Sequence, residues 1–441
     1  MSDPLNGHVS RREFVRGAAA LVAIPAIAGA SVLERSARAA GGKADELRIG
    51  LIGCGGRGTG AALQALAADT NTVLYSVGDL FKDRVDSSIA AMRGELGADA
   101  DKRLAVSAEH TYLGFDAYQK VIDSGVDVVI LTSYPCFRPE HLRAAVAAGK
   151  HVFAEKPLAV DGPGIRSVLE SAKQAKEKNL SVMIGFCWRH NSGMRAMFDQ
   201  LHGGAIGDIR TIHSTYYTST LSKHPRKPEW SDMEFQLRNW WHFTWTSGDH
   251  IVEQAVHSVD RMAWGFNDEK PERVICLGGR AARSGPEHGN VFDHFSAVYE
   301  YSNGRRGFLA ARQIDSCPSD NSDYVEGSKG HGTINGWVPT YSLADHTGKK
   351  IWNHEGDIKD MYQVEHDELF AGIRSGNVIN DCERGANSTL MAMMARMAAY
   401  TGQTLTWEQA LNSQESLVPE HLVLGSMPFP AVAIPGQTKF V

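Results

Sequence analysis

From residue 47 onward, short apolar runs alternate with longer stretches whose apolar positions recur every three to four residues. The first pattern marks buried strands and the second amphipathic helices. Strands are predicted at 47–52, 73–77, 126–131, 151–154 and 182–185, and helices between them at 61–68, 84–94, 141–148 and 165–176. Such alternation predicts a parallel, doubly wound sheet. After about Trp188 the strands become longer and more polar, as at 295–301 and 306–311, which are joined through Asn303-Gly304, a dipeptide suited to a type I′ turn. Helical patterns return at 251–264, 362–375 and 388–401 and can cover one face of a second, largely antiparallel sheet. The predicted class is therefore α/β plus α+β: a doubly wound Rossmann domain at 46–188, then a domain at 189–441 ending in a Pro-rich apolar tail at 428–441.

Composition narrows this picture. With 441 residues, 43% of them hydrophobic and 22% charged, the chain can bury two cores. Its 45 basic and 51 acidic residues are dispersed, so no nucleic-acid footprint is expected. Six cysteines without a Cys-x-x-Cys pair predict small buried residues rather than a zinc site or a disulfide scaffold.

The first residues differ from the rest. Ser10-Arg11-Arg12-Glu13-Phe14-Val15-Arg16 precedes an alanine-rich apolar run at 17–32 and Ala37-Arg38-Ala39, a pattern similar to a twin-arginine export signal at 1–39. An exported protein without a membrane anchor in its mature form is the expectation.

Gly53-Cys54-Gly55-Gly56-Arg57-Gly58 closes the first strand and opens the first helix. In this context Gly53 permits the turn, Gly55 lets backbone approach a pyrophosphate, and Gly58 allows close helix packing; Gly56 and Arg57 fall within the same turn. Asp79 ends the second strand, where a carboxylate accepts hydrogen bonds from ribose hydroxyls and repels a 2′-phosphate. NAD is favoured over NADP, with Lys82 and Arg84 nearby acting against that preference. Thr132, Glu155, Lys156 and His141 complete the predicted cofactor set.

Three patterns in this order resemble the Gfo/Idh/MocA oxidoreductases: Glu155-Lys156-Pro157 at a strand end, Gly185-Phe186 followed by Arg189, and Glu253-Gln254-Ala255-Val256-His257-Ser258-Val259-Asp260 on a predicted helix. The resemblance covers most of residues 47–410. Members commonly carry Asp, Gly and His where this chain has Glu253, Ala255 and His257. A sugar or polyol substrate is implied, and a homodimer or homotetramer formed through the second sheet. Removing hydride from a secondary alcohol requires a base and a cation near the developing oxyanion, roles that His257 and Lys156 can fill. Glu253 lies one helical turn before His257 and is read as its orienting partner or a sugar ligand. Arg189, His250, Asp260 and the aromatic pair Trp240 and Trp241 are the predicted substrate-binding residues. His250, Glu253, His257 and Asp260 could also suggest a metal cluster, but hydride chemistry needs none and no metal is expected.

Export adds one constraint: free NAD is not expected to be replenished outside the cytoplasm, so a tightly bound, recycled dinucleotide is expected. Hydride could pass to a second sugar, to an external acceptor, or back to the same substrate. The last course would give a redox-neutral glycosidase or lyase acting through a transient 3-keto sugar. A non-catalytic sugar-binding role is the remaining reading.

Overall fold

A computed structural model describes residues 46–441, and the predicted export segment at 1–39 lies outside the described residues. The first sheet contains β1 (Leu47–Ile52), β2 (Thr72–Asp79), β3 (Thr111–Leu113), β4 (Val128–Leu131), β5 (His151–Ala154) and β6 (Val182–Ile184), all parallel, in the order β3-β2-β1-β4-β5-β6. Its central strands are apolar at successive positions because helices cover both faces. β3 escaped sequence reading because three half-exposed edge residues carry no period. The strand order reverses between β1 and β4, leaving a crevice beyond their carboxyl ends.

The second sheet holds nine strands: β7 (Ile209–Thr218), β8 (Arg273–Gly279), β9 (His294–Glu300), β10 (Arg306–Gln313), β11 (Ser322–Gly327), β12 (Gly330–Asn335), β13 (Thr340–Asp345), β14 (Lys350–Asn353) and β15 (Leu405–Thr406). Their order is β14-β13-β12-β11-β7-β10-β9-β8-β15, antiparallel except for β7 beside β10. Between β9 and β10, Asn303 and Gly304 have φ of 60° and 74°, the left-handed pair a type I′ turn needs. Helices Val256–Gly265 and Cys382–Thr401 cover one face. The second of these is Met- and Ala-rich and buried along nearly all its length. A helix buried all round has no polar face to mark its start, so the predicted segment began too late.

Two features depart from simple succession. Helix Met361–Ser375 packs back on helix Gly56–Ala68, and Asn380 bridges to Val182, so the later half of the chain also supports the first sheet. The predicted helix at 251–264 is interrupted: it forms His250–Glu253 and Val256–Gly265, with Ala255 N–H bonded back to His250 C=O. No helix among the described residues is long and apolar enough to cross a membrane. The six cysteines are free; five are buried and Cys317 is half-buried.

Candidate functional site

The glycine turn occupies the crevice between β1 and β4. Gly53 has φ +100°, and a Cβ there would lie 2.4 Å from Ser133 N. A Cβ on Gly58 would meet Gly53 O at 2.0 Å, so that glycine permits the helix to rest on the strand. Above Gly55 and Gly56, by contrast, nothing lies within 4 Å. The open side is where backbone could approach a ligand. Helix Gly56–Ala68 has no side-chain cap, which leaves its first N–H groups available to an anion. Thr132 braces the turn from β4 through a 2.7 Å hydrogen bond to Gly53 O.

Asp79 stands at the side of the same opening. Its carboxylate accepts from Cys54 N at 2.7 Å and Phe81 N at 2.9 Å, one bond on each oxygen, and each oxygen retains a lone pair for a ribose hydroxyl. Burial raises its pKa, opposed by these backbone donors and by Arg84. A cavity of about 860 Å³ runs from the turn past Asp79, Arg84, Tyr134 and His141 to Trp240 and Trp241. That volume lies within the usual range for cofactor sites. His141 stacks on Tyr118 at 4.2 Å and bonds Ser133 at 3.0 Å; burial, then Arg138, lowers its pKa to about 3, so it is neutral. The residues present fit a dinucleotide.

Beneath the turn, Arg57 bonds Glu155 at 2.5 Å and Glu365 at 2.8 Å. Glu155 also accepts the Lys156 N–H at 3.1 Å, linking the glycine turn to the lysine. Glu365 comes from helix Met361–Ser375, and burial pushes its carboxyl well above the ordinary range despite Arg57.

Lys156, Glu253 and His257 meet where the catalytic-helix candidate breaks. His257 N–H bonds Gln254 O, leaving Glu253 C=O free; Lys156 Nζ donates to it at 2.5 Å and lies 3.8 Å from the Glu253 carboxylate. Burial raises the Glu253 pKa to about 7, against the lowering effect of Lys156 and Arg138. Burial, reinforced by Lys156, holds the His257 pKa well below its usual value, so the imidazole is neutral near pH 7. Glu253 does not orient His257: His257 Nδ1 is buried with no hydrogen-bond partner among the described residues.

The other predicted substrate residues separate from this group. Asp260 is bonded to Arg189 at 2.8 Å and to Ser388, and Arg189 also holds Asp268, forming a structural ion-pair cluster. His250 packs on Phe295 with Arg283, Asp293 and His294 as its charged or titratable neighbours. Trp240 and Trp241 stack at 3.7 Å but line the cavity that contains Asp79. Among the described residues no group of His, Cys, Asp and Glu could hold a metal ion.

Sequence reading missed Tyr216, half-buried within electrostatic reach of Glu253 and in edge contact with Trp337 at 5.7 Å. A tyrosine in a mixed polar strand carries no signal of its own. Glu365 did leave one, since it falls on the buried stripe of a helical pattern, where an acid requires a cation.

A glycine-turn crevice beside a lysine-acid-histidine group, backed by a second open sheet, defines a dinucleotide-binding fold of the Rossmann class with a second sheet joined to it. Residues 47–186 match the oxidoreductase family with an NAD-binding Rossmann fold, and residues 194–332 match the GFO/IDH/MocA C-terminal domain. The chain belongs to the Gfo/Idh/MocA family. It is 30% identical over 261 residues to inositol 2-dehydrogenase 3 of Saccharopolyspora erythraea, covering 59% of this chain and 64% of that protein. Against inositol 2-dehydrogenase of Serratia proteamaculans the identity is 24% over 268 residues, covering 59% and 65%. These matches span just under two thirds of each relative. The fold is shared with levoglucosan dehydrogenase in complex with NADH and L-sorbose, with TM-score 0.64 and 17% identity over 82% of this chain and 99% of that one.

Proposed function

We propose that this protein transfers hydride between a secondary hydroxyl of a sugar, glycoside or polyol and a bound NAD. The observation that carries this reading is the Lys156–Glu253–His257 group, in which an ammonium, an acid of pKa about 7 and a neutral imidazole stand together beside the nucleotide crevice. Two inositol 2-dehydrogenases among the relatives, and a levoglucosan dehydrogenase of the same fold, support a hydroxylated substrate.

Gly53, Gly55, Gly56 and Gly58 would hold the pyrophosphate and Asp79 the adenosine ribose. Bound NAD supplies a hydride acceptor or donor. The chain's own residues manage the proton: neutral His257 accepts it from the reacting hydroxyl, while the Lys156 ammonium stabilises the alkoxide as it forms. Glu253 holds Lys156 in place through its backbone oxygen, and its carboxyl, raised to about 7, sets the charge beside that ammonium at neutral pH. Export through the twin-arginine route, carried by Arg11 and Arg12, is part of this proposal and implies a cofactor loaded before transport.

Purified protein loaded with NAD and given a panel of inositols, aldoses and glycosides should develop the reduced-nicotinamide absorbance band with at least one of them. Release of aglycone without net reduction would instead establish the redox-neutral reaction. His257→Ala should lower turnover by about 10²–10⁴ with little change in nucleotide affinity. Equal losses in both would overturn the base role.

A further inference from the structure

We infer that the carboxy-terminal segment is a structural wall of the cofactor cavity, and that it makes the dinucleotide a resident group rather than an exchanging co-substrate. The inference rests on the nucleotide reading above and adds to it which residues retain the ligand. The cavity has three sources of lining: the first-sheet loops, the segment containing Ser222, His224, Arg238, Trp240 and Trp241, and the tail residues Val418 and Leu422. A nucleotide crevice formed by the parallel sheet alone is open to solvent at its adenosine side. Here two later stretches of chain add a wall to it.

The cover has its own apolar core. Leu80 and Phe81 after β2, and Tyr134, Cys136 and Phe137 after β4, pack with Met233, Phe235, Phe243 and Trp245, and against Leu417, Val418, Leu422 and Met427. The loops that follow two nucleotide-binding strands thus share one apolar cluster with the tail. Lifting the tail would expose that apolar cluster to water, so the docked arrangement is favoured even before a ligand adds contacts.

Hydrogen bonds fix the tail on both sides of the cover. Leu417 N–H donates to Asp161 Oδ2 at 2.9 Å before it, and Met427 N–H donates to Asp232 Oδ2 at 3.2 Å after it. Further along, Gln236 donates to Pro428 O at 3.2 Å, and Phe429 sits 5.9 Å from Phe235 and 5.8 Å from Phe243. At the end of the chain, Ser413 Oγ and Gln414 N–H both bond Val441 O, at 2.7 and 3.0 Å, so the tail returns to its own origin as a closed loop. Asp161 is the N-cap of helix Gly162–Glu177, which follows the Glu155-Lys156-Pro157 strand end, so one anchor of the loop lies beside the site itself. Release of an intact dinucleotide would require these anchors and the apolar cluster to open together.

The double variant V418S/L422S keeps every backbone anchor and removes the apolar cover. Wild-type protein loaded with NAD should retain it through gel filtration and exchange it for isotopically labelled NAD only over hours, read by mass spectrometry of the denatured supernatant. The double variant should exchange at least tenfold faster and leave the column depleted. Unchanged exchange in a folded double variant, or exchange of the wild-type nucleotide within seconds, overturns the inference while leaving the nucleotide site intact. If the double variant does not fold, the wild-type exchange rate alone decides. Failure of wild-type protein to bind NAD at all would overturn the function proposed above as well.

Discussion

The ammonium of Lys156 is hydrogen-bonded to the backbone oxygen of Glu253, 2.5 Å away, and stands 3.8 Å from the same residue's carboxylate. The nearer contact exists because the helix breaks at Gln254, so that His257 N–H no longer uses the Glu253 carbonyl. A continuous helix would have consumed that acceptor. The lysine is therefore positioned by backbone, which does not titrate, while the carboxylate beside it is free to do so.

That arrangement gives Glu253 a visible pH signature. Its pKa is raised to about 7, so kcat/KM should rise with pH through about 7 as the carboxylate ionises, and Glu253→Gln should abolish that limb. The same shift has a stability consequence of opposite sense. A carboxyl whose folded pKa exceeds its unfolded value of about 4.3 binds protons more tightly when folded, so its contribution is full below that value and is lost as pH rises toward 7. Glu253→Gln should consequently be more stable than wild type at pH 8 by on the order of 1–3 kcal/mol and indistinguishable at pH 4. Denaturant titrations at the two pH values check this, and a variant less stable at pH 8 would show that the ion pair outweighs the burial cost.

Asp79 is predicted to set cofactor choice. Its two oxygens each keep one lone pair for a ribose hydroxyl, and Arg84 lines the cavity on the same side. Asp79→Ser removes both the hydroxyl acceptors and the repulsion of a 2′-phosphate. NAD affinity should fall about 10- to 100-fold, from two hydrogen bonds of roughly 1 kcal/mol or more each, while NADP affinity rises. Adding Arg84→Ala should remove the gain for NADP. Isothermal titration with both nucleotides separates these effects, and an Asp79→Ser protein that still prefers NAD would place discrimination elsewhere.

The parallel sheet and its glycine turn were legible because both follow from local rules: buried strands are apolar throughout, and a tight turn beneath a pyrophosphate needs glycine at fixed offsets. The Lys156, Glu253 and His257 group was legible from its pattern, but its geometry was not. An i, i+4 spacing predicts a shared helical face only while the helix continues, and at the break the Gln254 side chain accepts a 2.5 Å bond from Gln313, far away in sequence. Trp240 and Trp241 have the composition of a sugar platform, and both line the cavity that contains Asp79, with Trp240 packed against Tyr134. Aromatic character signals a stacking surface and says nothing about which ring it will meet. The tail at 428–441 lacked any period because it is held by single hydrogen bonds and isolated rings rather than by a repeating face.

Arg57 provides a test of how the two halves of the chain are joined. Its guanidinium is shared between Glu155, which bonds the Lys156 N–H, and Glu365, which arrives from helix Met361–Ser375. Glu365 is fully buried and Glu155 nearly so, and Glu365 Oε2 has no hydrogen-bond partner among the described residues. Arg57→Met leaves two carboxylates without their cation. The expected loss is about 3–5 kcal/mol, because an unpaired buried charge costs more than the intact pair contributes. Arg57→Met/Glu365→Gln replaces one of the two stranded acids by a neutral amide and should recover part of that loss, giving a non-additive double-mutant cycle of about 1–3 kcal/mol. Because Glu155 remains and still contacts Lys156, turnover in the double variant should stay below wild type even where stability returns. Additive losses would show that Arg57 and Glu365 act independently, and that the later helix is attached to the glycine turn by apolar packing alone.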